Sequence, residues 1–201
     1  MKKLLLLLLS SISIISCVER SIHKPKQRGY FRIDLPQEKS KSYYSFSNDT
    51  FPYNFKLPTY AKIAIDSSKS ADPYWLNIQY PDFNATIHIS YKHIQQNVNK
   101  FVEDAHFLAY KHDIKAEAIR VQEFHYEDKK VHGLLFDIKG DAASVKQFFV
   151  TDSIQHFVRG ALYFNVPPNK DSLAPVISYM HNDIVELISN FKWNPEFKHT
   201  Q

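Results

Sequence analysis

Apolar side chains recur at every second position along most of this chain, and that period restricts its fold more than any motif does. Leu76, Ile78 and Tyr80 share one side of an extended segment from Trp75 to Tyr80. Ile87, Ile89 and Tyr91 share one side of the next, Ala85 to Tyr91, with Thr86, His88 and Ser90 opposite. The short Pro81–Asn84 link joins these two as an antiparallel hairpin. Tyr30 to Leu35 alternates in the same way until Pro36, and Phe51 to Leu57 and Tyr60 to Ile65 are further strands parted by Pro58. Gln37 to Thr50 reads as a polar surface loop, and Asp66 to Pro73 as a turn-rich connection. Val131 to Ile138 is a strand closed by Gly140. Val145 to Val150 and His156 to Phe164 form a second hairpin around Thr151-Asp152-Ser153-Ile154-Gln155. Ala116 to Glu127 fits either a helix end or a strand.

Two stretches change period. Val98, Phe101, Ala105 and Leu108 recur at helical spacing after Asn97, a candidate N-cap, up to about Lys111 or Ile114. Leu173, Val176, Ile177, Met180, Ile184, Leu187, Ile188 and Phe191 form one helical stripe, capped at Asp171 or Ser172, with Pro175 in the first turn and Pro195 ending any extension. Strands, helix, strands, helix, with short links between neighbouring strands, predict an α+β fold: a mainly antiparallel sheet with two main helices packed on it. A doubly wound parallel sheet needs more crossover helices than this order offers.

Composition excludes several function classes. With 44% hydrophobic residues among 201, the chain has enough apolar area to fold, and one domain suits its length. Only 4 Gly argue against a phosphate-cradling loop, and a single Cys excludes a disulfide framework and a multi-thiolate metal site. The formal charge of +4 includes Lys2 and Lys3; without them 25 − 2 = 23 basic residues face 21 acidic ones, a balance too even to imply nucleic acid as a partner.

That lone Cys carries the strongest motif. Met1-Lys2-Lys3 precedes an apolar run from Leu4 to Ile15, of secretory-signal length and short for a membrane span, and the run ends Ile14-Ile15-Ser16-Cys17. An apolar residue at −3, a small one at −1 and then Cys make a bacterial lipobox, in which the Cys17 thiol accepts diacylglycerol before cleavage. The alternatives are a plain signal peptide that happens to precede a Cys, or an uncleaved helix; the only Cys standing where a lipobox requires it favours lipidation. The organisation expected is therefore a lipoprotein signal peptide over 1–16, a lipidated tether over 17–28 whose polar stretch from Val18 to Arg28 reaches roughly 36 Å at full extension, a globular domain over 29–194 and a flexible tail over 195–201. Two or more acyl chains, such as palmitate, hold a protein to a membrane where one does so only marginally.

Little else points to chemistry. The 10 His include no pair at i, i+4 on a helix and no His-Glu-x-x-His, so neither a metal nor a cofactor is expected. A nucleophile elbow and a P-loop are missing as well. The candidate polar interaction site is Asp152, Ser153, His156 and Arg159, which would line a pocket at the end of a hairpin. The alternative is that Asp152 and Ser153 bond their own turn, while His156 and Arg159 occupy opposite faces of a strand.

Five segments carry a family resemblance: Gly29-Tyr30-Phe31-Arg32-Ile33-Asp34-Leu35-Pro36, Leu108-Ala109-Tyr110-Lys111-His112, Gly140-Asp141-Ala142-Ala143-Ser144, the run from Thr151 to Gly160, and Pro168-Asn169-Lys170-Asp171-Ser172-Leu173-Ala174-Pro175-Val176. Together with Cys17 and Phe191-Lys192-Trp193 they resemble the GldD family of gliding-motility lipoproteins of Bacteroidota. The resemblance implies a lipid-anchored envelope protein, facing the periplasm, tied to gliding and to the machinery that secretes and propels adhesins. It brings no catalytic residue set. It therefore favours a non-enzymatic role through protein contacts over an anchored hydrolase or a glycan- or small-ligand-binding lipoprotein. The order of elements is also similar to the PsbP/Mog1-like α/β/α sandwich. Which membrane holds the anchor, and which protein is the partner, are left open by the residues themselves.

Overall fold

The computed structural model describes residues 35–37, 41–111 and 116–197, all within one compact unit, Arg32–Gln201. The expected signal peptide, Cys17, the tether and all but the last residue of the Tyr30 to Leu35 strand lie outside the described residues, as do 112–115 and 198–201. In chain order the strands are β1 (Tyr43–Phe46), β2 (Tyr53–Pro58), β3 (Lys62–Ile65), β4 (Leu76–Tyr80) and β5 (Ala85–His93). Helix α1 (Val98–Tyr110) leads to β6 (Ala116–Tyr126), β7 (Val131–Gly140), β8 (Ser144–Thr151) and β9 (His156–Phe164). Helix α2 (Lys170–Ser189) and β10 (Lys192–Trp193) close the chain.

Seven strands make the main sheet in the order β3-β4-β5-β9-β8-β7-β6, and every neighbouring pair is antiparallel. The period-two pattern explains why the sheet is covered twice. In β9, Val158 and Leu162 point to the side where α2 packs, with Ile87 and Ile89 of β5 and Phe148 and Val150 of β8. Phe157 of β9 and Phe149 of β8 point the other way, to α1, where Ala105 and Ala109 let the helix approach closely. A residue-by-residue alternation thus feeds two cores, and the result is an α+β sandwich with a helix on each face of an antiparallel sheet.

A small sheet, β1-β2-β10, extends the α2 side. Its aromatic side chains form a continuous cluster: Tyr53 stacks on Phe191 at 5.7 Å, and Phe191 meets Trp193 edge-on at 4.9 Å. The stretch expected as a loop, Gln37 to Thr50, contains β1, because Phe46 reaches Phe51 and Phe55 at 5.4 and 5.2 Å and so anchors a short strand against β2. Ala116 to Glu127, open between helix and strand, is the long edge strand β6. Past Pro195, Phe197 lies edge-on to Tyr74 at 5.0 Å.

Helix α2 starts earlier than the expected Asp171 or Ser172 cap. Asn169 is the N-cap, its side chain accepting from the Ser172 amide at 3.3 Å, and Asp171 adds a charge favourable to the helix dipole. Pro175 therefore stands in the second turn, where its ring leaves the Asp171 carbonyl without the usual i→i−4 donor. Asn97 does precede α1, but its side chain accepts from the Gln95 amide at 2.9 Å instead of capping the helix. No described helix is long and apolar enough to cross a membrane.

Candidate functional site

The β8–β9 hairpin holds the four residues singled out from sequence, and the fold disperses them. Asp152 Oδ1 accepts three backbone amides of its own turn, from Ile154, Gln155 and His156, at 3.0, 2.9 and 2.9 Å. A carboxylate so engaged closes the turn in the manner of an Asx motif. His156 points to the α2 side, 9% exposed, its Nδ1 2.9 Å from the Tyr91 hydroxyl and its ring stacked on Trp193 at 5.0 Å. Arg159 is on the opposite face, and its guanidinium donates to Gln147 Oε1 at 2.5 Å. Ser153 alone faces a new partner. Its backbone is left-handed, φ 62°, and its hydroxyl lies 2.6 Å from Nε2 of His132, a residue sequence reasoning passed over. The signal for that pair is register: β7 and β8 align His132 with Thr151, which brings the turn of one hairpin beside the strand of another.

His132 continues into a surface row. Its ring stacks on His125 at 5.4 Å, and His125 Nε2 lies 2.7 Å from Glu127 Oε2. Burial first, and then the neighbouring His125, pull the His132 imidazole below its ordinary value, so it is a neutral base at neutral pH. A hydroxyl against a neutral imidazole is the first step of nucleophile activation. The next element, a carboxylate orienting that imidazole, goes elsewhere, since Glu127 engages His125 instead. Among the described residues no group of three or more His, Cys, Asp or Glu is placed to hold a metal ion.

Two further polar clusters lie on α2. Asp183, 1% exposed, accepts the Tyr60 hydroxyl at 2.5 Å, the Lys41 ammonium at 3.0 Å and the Tyr43 hydroxyl at 3.3 Å. Burial lifts its carboxyl above the usual range despite those donors. One turn towards the N-terminus of α2, and across from the ends of β6, β7 and β8, is a cavity of about 470 Å3, lined by Glu117, Asp137, Lys139, Lys146, Ile177 and His181 among others.

Fold and polar clusters together define a small α+β sandwich domain whose singled-out hairpin residues mostly serve its own packing. The sequence profile of the family described as gliding motility lipoprotein GldD matches residues 20–193, and the chain belongs to that family. Membership implies involvement in gliding motility and, for a lipoprotein, attachment to a membrane of the cell envelope. Among curated proteins nothing matches the sequence. Among solved structures, cyanobacterial PsbP from Synechocystis sp. PCC 6803 is similar at a TM-score of 0.48 and 10% identity, over 76% of this chain and 92% of that one.

Proposed function

We propose that this protein is a non-enzymatic, lipid-anchored component of the apparatus that secretes and propels gliding adhesins, facing the periplasm and acting through contacts with other proteins of that apparatus. The observation that carries the reading is the position of Cys17. It ends the apolar run in lipobox order, directly ahead of the matched stretch 20–193. Acyl chains on that sulfur and on the new amino terminus would supply about 0.8 kcal/mol per buried methylene, enough with two or more chains for lasting attachment. Supporting the non-enzymatic part, Asp152, His156 and Arg159 are each spent on turn, core or cross-strand contacts.

Deletion of the gene should abolish gliding and adhesin export, and a wild-type copy should restore both. A Cys17→Ala copy, exported but not acylated, should restore neither; full rescue by that soluble form would remove the anchor from the account.

One observation favours a second reading, an anchored hydrolase: the 2.6 Å approach of Ser153 to His132. Ser153→Ala and His132→Gln decide between them. Both variants should fold and support gliding if the protein acts by contact elsewhere on its surface, whereas loss of gliding in both, with normal abundance and with ester hydrolysis by the purified wild type that both variants lack, would establish the hydrolase.

A further inference from the structure

The cavity between α2 and the sheet gathers charged side chains from β6, β7, β8 and α2. Lys146 projects from β8 towards α2 with its side chain only 3% exposed, and its ammonium is 2.7 Å from Asp137 Oδ1. The two form a buried ion pair. Lys139 reaches Asp137 Oδ2 at 3.0 Å from the same strand. Two ammonium groups thus share one carboxylate. At the rim, Lys170 is matched by Glu117. Asp171 lines the cavity as well, so its lysines and carboxylates are equal in number; what is left over is donor capacity, since the Lys146 ammonium, on a side chain only 3% exposed, has three hydrogens to place and meets Asp137.

The fourth inner group is His181 of α2, whose Nδ1 is buried with no hydrogen-bond partner. Burial, and next Lys146, hold its imidazole below the ordinary value, while Asp137 opposes. It is therefore neutral near pH 7, with one proton to place on either nitrogen. Beside these polar groups Val145, Ala174 and Ile177 make an apolar wall. A volume of about 470 Å3 is in the ordinary range for a small-molecule pocket.

We propose that this cavity is a binding site for a small organic carboxylate with an apolar side group, its carboxylate lying between Lys146, Lys139 and His181 Nδ1 and its side group against Ala174 and Ile177. A second carboxylate takes up ammonium hydrogens of Lys146 that Asp137 alone does not use. A carboxylate accepts from both ammonium groups while Nδ1–H satisfies the imidazole. The same chemistry occurs in a free acid and at the C-terminus of a peptide. The site stands apart from the gliding reading: either can fail without the other.

The test titrates four probes into the purified lipoprotein in detergent: N-acetyl-leucine, N-acetyl-leucine amide, and a leucine-terminated peptide with a free or an amidated end. The readout is the imidazole NMR shift of His181. One or both free acids should shift it saturably, and the matching amide should bind at least about tenfold more weakly. Binding of the monomer marks a free acid as a source, and binding of the peptide alone marks a chain terminus. Lys146→Met should weaken the acid by about tenfold or more. If that variant does not fold, Lys139→Gln, at a side chain 48% exposed, supplies the same comparison. Equal binding of acid and amide, unchanged affinity in Lys139→Gln, or no saturable shift with either acid overturns the proposal.

Discussion

Lys41 and Asp183 are 142 residues apart in sequence and meet at 3.0 Å with their side chains 3% and 0% exposed. Lys41 also donates to the Tyr179 carbonyl at 3.3 Å, and its ammonium lies 3.5 Å from the centre of the Tyr179 ring. The segment that leads from the N-terminal side into the domain is thereby fastened to the middle of α2. Removing one partner of a buried ion pair costs about 3–5 kcal/mol.

Asp183→Ala should therefore destabilise the chain by about 3–5 kcal/mol, since it removes the buried carboxylate that Lys41, Tyr60 and Tyr43 all reach. Lys41→Met should cost less, because Asp183 keeps Tyr60 and Tyr43. The double variant Lys41→Met/Asp183→Ala should be more stable than Asp183→Ala alone. Urea unfolding of the three variants checks the order; strict additivity would mean that the pair does not act as a unit.

Gly160 of β9 sits under the Phe148 ring, where an added Cβ would come within 2.2 Å of it. Gly160→Ala should destabilise by about 1–3 kcal/mol through overpacking. Combining it with Phe148→Leu should return part of the loss, again read from unfolding curves.

Three imidazoles, His88, His132 and His181, are held below their ordinary value of 6.5, in each case first by burial. Their unfolded counterparts take up protons near 6.5 while the folded ones do not, so the unfolded state binds more protons in that window. Stability should be full above pH 6.5 and decline as pH falls through the lower folded values. Thermal unfolding between pH 7.5 and 5 tests this, and His181→Gln should flatten the slope. A chain that gains stability on acidification over that range would contradict it.

His156 and Ser153 should separate cleanly. His156→Ala removes a buried ring packed on Trp193 and bonded to Tyr91, and should cost about 2–4 kcal/mol. Ser153→Ala changes an exposed hydroxyl and should stay within about 1 kcal/mol. Equilibrium unfolding of the two variants provides the comparison.

Legibility followed periodicity. The alternation in β5 and β9 and the stripe of α2 are long enough to state which face is buried, and both cores follow from them. β6 escaped because it is an edge strand with Glu117, Arg120, Val121 and Glu123 exposed, so no apolar alternation marks it. β1 and β10 are too short to have a period and exist only by pairing with β2. The alternative reading of the hairpin residues was open in sequence because a turn carboxylate and a strand histidine look alike in catalytic and in structural settings. Their partners, His132, Tyr91 and Gln147, come from other strands and depend on register. The Asp137–Lys146–His181 cavity is invisible for the same reason: its members come from two strands and a helix.

The most direct test of the account is a mass spectrum of the N-terminal peptide from protein isolated out of native membranes. It should begin at Cys17 and carry a diacylglycerol on the sulfur together with an acyl chain on the amine. A bare thiol at Cys17, or residues 1–16 still attached, would contradict a protein that works from a lipid anchor.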